Sequence, residues 1–190
     1  VRDSQGYTLA TFEQGLVQGN WQVFDQRNQR VLSGHYQAGR QHGEWQYFAV
    51  DGSVEQIEHY DAGVASGLWQ RFNSQQQVIE TTQFERGEKT NVSRFYDNGK
   101  IRIVETYKDS LRHGVWQTFH LNGEVAEQWT YANNQLNGPY QSRDEQGSVL
   151  LQGQYNSSGQ QDGLWTQFFA ADRPAANTHY LNGQRHGVAE

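Results

Sequence analysis

Seven histidines are the first residues in this chain whose type could do chemistry, since imidazole ligates zinc and moves protons near neutral pH. His42, His113 and His186 each precede a glycine, and His35, His59 and His179 each precede a tyrosine. Six therefore share recurring sequence positions, and His120 stands apart. Ligands of one zinc ion must converge on a point, and none of these spacings is a zinc signature. The histidines are read as solvated loop side chains.

The carboxylates Glu55, Glu58, Asp61, Glu80 and Glu85 could serve glycoside hydrolysis only as a pair held ~5–9.5 Å apart across a cleft. The pattern singles out no pair, and they are read as a solvated acidic face. Zero Cys removes disulfides, thiolate metal sites and cysteine nucleophiles. Nucleophile elbow, P-loop and dinucleotide fingerprints do not occur. Asn91-Val-Ser93 and Asn156-Ser-Ser158 match the glycosylation sequon, a match that would mean little if the source is bacterial. No catalytic residue, metal or cofactor is expected.

Aromatic rings are the other chemistry, through stacking on sugars or anchoring of a partner. They make up 13% of the chain, as 6 Trp, 10 Tyr and 9 Phe. An aromatic anchor recurs at Phe12, Tyr36, Tyr60, Phe84, Tyr107, Tyr131, Tyr155 and Tyr180, every 23 to 25 residues. One repeat reads Tyr36-x2-Gly39-x3-Gly43-x-Trp45-x2-Phe48-x3-Gly52. The Trp column is Trp21, Trp45, Trp69, Trp116 and Trp165, with Tyr140 substituting and Ser93 failing. Three residues on stand Phe24, Phe48, Phe72, Tyr96, Phe119 and Phe168. Asn28, Asn91, Asn134 and Asp172 replace glycine in the Gly columns, which marks those columns as left-handed backbone positions.

Such a repeat must be positioned by short strands. Glu44–Val50 and Ser53–Tyr60 are joined by Asp51-Gly52, and Asn98-Gly99 and Asn122-Gly123 recur in the same place. These dipeptides suit a type I′ hairpin turn, with positive φ at both central residues. No helical apolar stripe is sustained. The predicted fold is all-β, an elongated single-layer antiparallel β-meander or solenoid of about eight 24-residue hairpin repeats, about fifteen strands and ~70 Å of ribbon at ~4.8 Å per strand. Residues 1–190 are read as one repeat domain, with repeats starting near 12, 36, 60, 84, 107, 131, 155 and 180. A single repeat cannot bury its rings, so neighbours must stack them into a thin core. Trp45 and Phe48 are three apart and face opposite sides unless a bulge intervenes; both arrangements are open.

Composition narrows the function classes. Hydrophobic residues are 35% of the chain and mean hydropathy is −0.92, yet the aromatic content argues against disorder. Net charge is −6, against the basic face of a nucleic-acid binder. No apolar run approaches the ~18 residues of a transmembrane helix. The chain starts Val1-Arg2-Asp3 without methionine, as a trimmed or processed chain would. Export to a bacterial periplasm or envelope is compatible with this composition, and a cytoplasmic location equally so. The last repeat stops at Gly187-Val-Ala-Glu190, where the next Trp would stand; a sheet edge there would invite pairing with a second chain.

The Tyr-x2-Gly-x3-Gly-x-Trp-x2-Phe-x3-Gly repeat resembles the MORN repeat in its bacterial variant, of the YwqK-type antitoxin-like kind, from about Phe12 to Gly187. The resemblance implies a β-hairpin repeat and a non-enzymatic binding or scaffolding role, with protein partners or, in some members, membranes or phospholipids. It carries no catalytic residues.

Two places depart from the repeat. Trp129 stands two residues before Tyr131, where other repeats carry Gly34, Glu58, Thr82, Glu105, Gly153 or Thr178, and is a candidate surface anchor. The fourth repeat lacks Trp and Gly and is one residue short. Residues 86–112 hold seven Lys and Arg, namely Arg86, Lys89, Arg94, Lys100, Arg102, Lys108 and Arg112. Four acids, Glu88, Asp97, Glu105 and Asp109, leave this stretch at +3 against −9 elsewhere. It is a candidate docking site for an acidic partner or headgroup. The preferred reading is a non-enzymatic scaffold that binds a protein partner of unknown identity, in its most concrete form an antitoxin or immunity-type role. The alternative is a cell-envelope module that binds glycan or lipid headgroups.

Overall fold

The computed structural model describes residues 2–3, 6–96, 98–169 and 173–187. Asp97, Asp172 and the chain-terminal residues invoked above lie outside them. Among the described residues all regular structure is β-strand, and every strand pair is antiparallel between neighbours in sequence. The β-meander expected from the repeat is the fold.

The residues fall into two compact units, 1–90 and 91–190. The long strands of the first are Gly6–Glu13, Leu16–Phe24, Arg30–Gln37, Gly43–Phe48, Val54–Asp61, Gly67–Phe72 and Val78–Glu85. Those of the second are Ile101–Lys108, Gly114–Phe119, Val125–Ala132, Gln135–Arg143, Val149–Tyr155, Gln161–Phe169 and Arg173–Leu181. The division falls within the strand Glu88–Phe95.

The type I′ turns predicted at the Asp-Gly and Asn-Gly connection are found at the other connection instead. After the Phe column the chain makes a three-residue loop: Gly52 N–H donates to Ala49 O and Ala49 N–H to Ser53 O, both at 2.9 Å. Gly52 has φ +83 and Asp51 is not left-handed, so this is a type I turn closed by one left-handed residue rather than a type I′ turn. The Asp51 carboxylate acts instead as a local acceptor, taking the Ser53 N–H at 2.9 Å. The type I′ turns lie at the other connection. There two successive residues have positive φ: Ala38 and Gly39, Ala62 and Gly63, Arg86 and Gly87, Asp109 and Ser110, Asn133 and Asn134. Successive type I′ turns are tied together, for example by Gly39 N–H to Val17 O at 2.9 Å and Gly63 N–H to Gln41 O at 2.8 Å.

A bulge lies at the Phe column, on the partner strand rather than between Trp45 and Phe48. The register slips by one residue between Val23 and Phe24, Tyr47 and Phe48, Thr118 and Phe119, and Gln167 and Phe168. The extra residue lies on the partner strand, Glu55 in the second repeat.

The fourth repeat is built differently from its alignment by sequence. Trp45 pairs with Glu58 and Phe48 with Val54; correspondingly Val92 pairs with Glu105 and Phe95 with Ile101. Val92 therefore holds the Trp position, with 3% of its surface exposed, and Phe95 the Phe position. Ser93 and Tyr96 are each one step past those columns. The missing residue is the one that elsewhere carries the left-handed glycine before Trp: the strand Glu88–Phe95 runs unbroken and Asn91 has no positive φ. Repeat seven has the opposite change. Asn156–Gln160 forms a longer loop in place of a type I′ turn, and Tyr155 pairs with Gln161, which accounts for its extra residue.

The Trp column is the core. Trp45, Trp116 and Trp165 are buried. In the first unit ring contacts run Trp21–Tyr36–Trp45–Tyr60–Trp69–Phe84, with centroids 4.5–6.3 Å apart. Trp69, Trp116 and Trp165 also donate their indole N–H to the carbonyls of His59, Thr106 and Gln154, at 3.0, 2.9 and 3.2 Å.

Candidate functional site

Because strand side chains alternate, each sheet has a ring face and an opposite face. The residue two before the anchor is directly across from Trp and so points to the ring face. That position holds Glu58 and Glu105, each 6% exposed. Glu58 is thus a buried carboxylate rather than part of a solvated acidic face. A buried charge needs donors, and Glu58 has them: Tyr47 and Tyr60 donate their hydroxyls to Oε2 at 2.9 and 2.7 Å, and Gln56 Nε2 donates to Oε1 at 2.6 Å. Glu105 accepts from the Tyr107 hydroxyl at 2.9 Å and pairs with Arg94 Nη1 at 2.7 Å. Burial first, and then the Glu58 carboxylate, push the Tyr47 phenol up to about 12 and raise that of Tyr60. Burial and Glu105 do the same for Tyr107, to about 12. The Glu-x-Tyr spacing of Glu58–Tyr60 and Glu105–Tyr107 was the sequence signal for these clusters.

The cations of the fourth and fifth repeats are spread out. Arg86 sits at a type I′ turn with φ +51, and Lys89 lines a small groove with Trp69, Arg71, Glu80 and Phe84; both belong to the first unit. In the second unit Arg94 is engaged by Glu105. Lys100 and Arg102 are exposed together at the hairpin end, where Lys100 Nζ donates to Asn122 O at 3.3 Å. Lys108 is exposed at the other end of the same strand, about 20 Å away at strand rise. Trp129 lies on the ring face, half-buried, paired with Trp116 on one side and Tyr140 on the other.

Histidines are not confined to loops. His35, His59 and His179 stand on strands, their side chains on the face away from the rings, where His59 Nε2 lies 3.7 Å from Glu44 Oε2. His42 Nδ1 is 3.5 Å from Asp61 Oδ1, and His120 Nε2 lies 3.0 Å from Arg143 O. Among the described residues no three His, Asp or Glu are grouped to hold a metal ion. No described helix is long and apolar enough to cross a membrane.

The face opposite the rings is a ladder of amides. In the second unit Gln117, Gln128, Gln141 and Gln152 are directly paired across four successive strands, with Gln117 Nε2 donating to Gln128 Oε1 at 2.8 Å. Beside this row Val115, Pro139 and Leu164 are exposed, one on every second strand. A shallow groove of about 450 Å³ follows both rows, lined by Gln128, Pro139, Gln141, Gln152, Gln154 and Leu164. The first unit has its counterpart at the same repeat positions, about 300 Å³ among Asn20, Gln22, Ser33, His35, Glu44 and Gln46. In the second unit these two rows carry no Asp, Glu, Lys or Arg from Val115 to Gln154, and Asp162 stands opposite Gln154 at the far edge.

The family model of the MORN repeat variant matches residues 91–109 and 112–133. No curated protein matches the chain. Among solved structures, a mutant of S. aureus TarM in complex with fondaparinux, alpha-GlcNAc-glycerol and UDP is 14% identical over 52% of this chain and 19% of that one, with a TM-score of 0.37. The accessory secretory protein 1, 2 and 3 structure from Streptococcus pneumoniae is 11% identical over 61% and 19%, with a TM-score of 0.30. The GtfA/B complex bound to UDP and GlcNAc is 14% identical over 65% and 24%, with a TM-score of 0.28. The chain thus spans about a fifth to a quarter of the length of these structures. The hairpins that pair Val92 with Glu105 and Trp116 with Trp129 fall within the two matched segments, so the MORN repeat variant is detected over residues 91–133.

Proposed function

We propose that the protein is a non-enzymatic scaffold that binds a protein partner on the amide face of its second unit. The observation that carries this reading is the run of four paired glutamines beside exposed Val115, Pro139 and Leu164, with Asp162 opposite Gln154 as the charged residue at its edge, in a chain of net charge −6. Amides offer a donor and an acceptor each, and depletion of charge together with scattered apolar groups characterises the centre of protein interfaces. Trp45, Trp116 and Trp165 are buried, so their faces meet neighbouring rings rather than sugars. An antitoxin or immunity-type role is the most concrete form of this reading.

The test is affinity capture from extract of the source organism with mass spectrometry, comparing wild type, Gln117→Glu/Gln141→Glu and Lys100→Glu/Arg102→Glu. One stoichiometric protein lost only in the glutamine variant supports docking on the amide face. Loss only in the Lys100/Arg102 variant transfers the site to the exposed cations, and absence of any specific protein overturns the reading.

A further inference from the structure

The ring row of the second unit has a gap. Ring contacts link Tyr107, Trp116 and Tyr131, with centroids 5.5 and 5.0 Å apart. They resume among Tyr140, Tyr155, Trp165 and Tyr180. No ring contact joins Tyr131 to Tyr140 among the described residues. At this place the column holds Tyr140, where five other repeats hold Trp21, Trp45, Trp69, Trp116 and Trp165. At the gap is a groove of about 170 Å³ lined by Glu127, Trp129, Tyr131, Leu136, Tyr140 and Tyr155, about the share of five or six liquid waters.

We propose that this groove is a socket for an arginine side chain of a partner protein. Ring faces are negative; four rings line the groove, of which Tyr131 carries Arg112 over its ring and Tyr140 stacks on Trp165, and the exposed carboxylate of Glu127 stands at the same groove. Its charge reaches the Tyr140 and Tyr155 hydroxyls, where it adds to burial in raising both phenols. No Lys or Arg lines the groove; Arg112 reaches Tyr131 from beside it, donating to its hydroxyl at 3.4 Å, and among the described residues no Lys or Arg pairs with Glu127 or lies over Trp129. Arg112 shows this mode of binding next door, with its guanidinium 5.1 Å from the Trp116 ring centroid and 5.4 Å from that of Tyr131; within the first unit Arg30 lies 4.4 Å over Phe48. A guanidinium is planar, stacks on rings and pairs with carboxylate, where an ammonium is a strongly hydrated point charge. The proposal shares with the preceding one only that a protein is bound, and it uses the opposite face of the sheet.

The test is NMR titration of the full chain with N-acetyl-arginine amide and with its uncharged isostere N-acetyl-citrulline amide, following the Trp129 indole N–H. Trp129→Phe identifies that resonance. Arginine is expected to give a saturable shift, weakened about fivefold or more by replacement with citrulline and by Glu127→Gln, as loss of a cation–π and carboxylate contact requires. Tyr140→Trp, which fills the gap with the residue natural to the column, should abolish the response while the other indole resonances keep a folded dispersion. Equal shifts with citrulline, an unchanged response in Glu127→Gln, or no saturable shift at all overturns the socket. Because Gln117 and Gln141 lie on the other face, a failed capture experiment with their variants leaves this outcome independent.

Discussion

Gly34 lies directly beneath the indole of Trp45. A Cβ placed on residue 34 would collide with Cδ2 and Cε2 of that ring, and Gly153 stands in the same relation to Trp165. Both glycines occupy the position two residues before the anchor, so these two repeats offer their flattest spot to the Trp of the next. Neither has a φ in the left-handed region. Their requirement is close approach, not backbone freedom, whereas Gly52 has open space around its missing Cβ and φ +83.

Gly34→Ala and Gly153→Ala are therefore expected to lower stability by overpacking, about 1–3 kcal/mol each, read as a lower urea midpoint. An alanine at either site with wild-type stability would show that the ladder yields without cost. Trp45→Ala, which removes the most buried ring at 1% exposure, should cost about 3–5 kcal/mol.

Arg94 belongs to the core of its hairpin. Its guanidinium is 2.7 Å from Glu105, whose side chain is 8% exposed against 35% for Arg94. Arg94→Glu sets two carboxylates against each other and leaves Glu105 buried without its cation, an expected loss of at least about 2 kcal/mol by urea denaturation. Arg94→Gln/Glu105→Gln removes both charges and should recover most of it. A wild-type midpoint for Arg94→Glu would place that residue among the exposed cations after all.

The tyrosines around the buried glutamates give the fold an alkaline limit. A phenol that titrates near 10 in the unfolded chain and about 12 in the fold, as for Tyr47 and Tyr107, is protonated in both states below pH 10 and contributes its full stabilisation there. Between about pH 10 and 12 the unfolded chain loses the proton first, so stability falls as pH rises and is gone above the folded value. Denaturation midpoints should decline through that window, and Tyr47→Phe/Tyr107→Phe should flatten the decline. Phenolate absorbance that rises near pH 10 for these two residues in the folded chain would contradict it.

Much of this architecture is legible in the chain itself. The 24-residue period, the hairpin repeat and the burial of the Trp row follow from spacing alone, because only stacked neighbours can cover such rings. Glu58 was not legible by type, since an isolated Glu reads as solvent-exposed until its place opposite Trp45 is known. The type I′ turn expected at Asp-Gly was misplaced because that dipeptide serves two geometries: it supplies φ > 0 at both residues in a type I′ turn, or an aspartate acceptor and a single left-handed glycine in a three-residue loop. Ala38 and Arg86, at positive φ, carry no such mark in their residue type. The amide face was also invisible, because Gln117, Gln128, Gln141 and Gln152 become one row only once the register is known.

The fourth repeat offers the sharpest check on that register. By sequence count Ser93 occupies the Trp column; by strand pairing Val92 does, opposite Glu105. The two assignments differ by one residue and therefore by one face of the sheet. Ser93→Trp should place an indole on the amide face, with fluorescence emission and acrylamide quenching of an accessible ring and a urea midpoint no higher than wild type. Val92→Trp should place it among the rings, shielded from quencher. Its midpoint depends on how far the pair of Glu105 and Arg94 can make room, and overpacking there is worth about 1–3 kcal/mol. A quenchable indole at 92 together with a shielded one at 93 would reverse the register and return the missing residue to the far side of the strand.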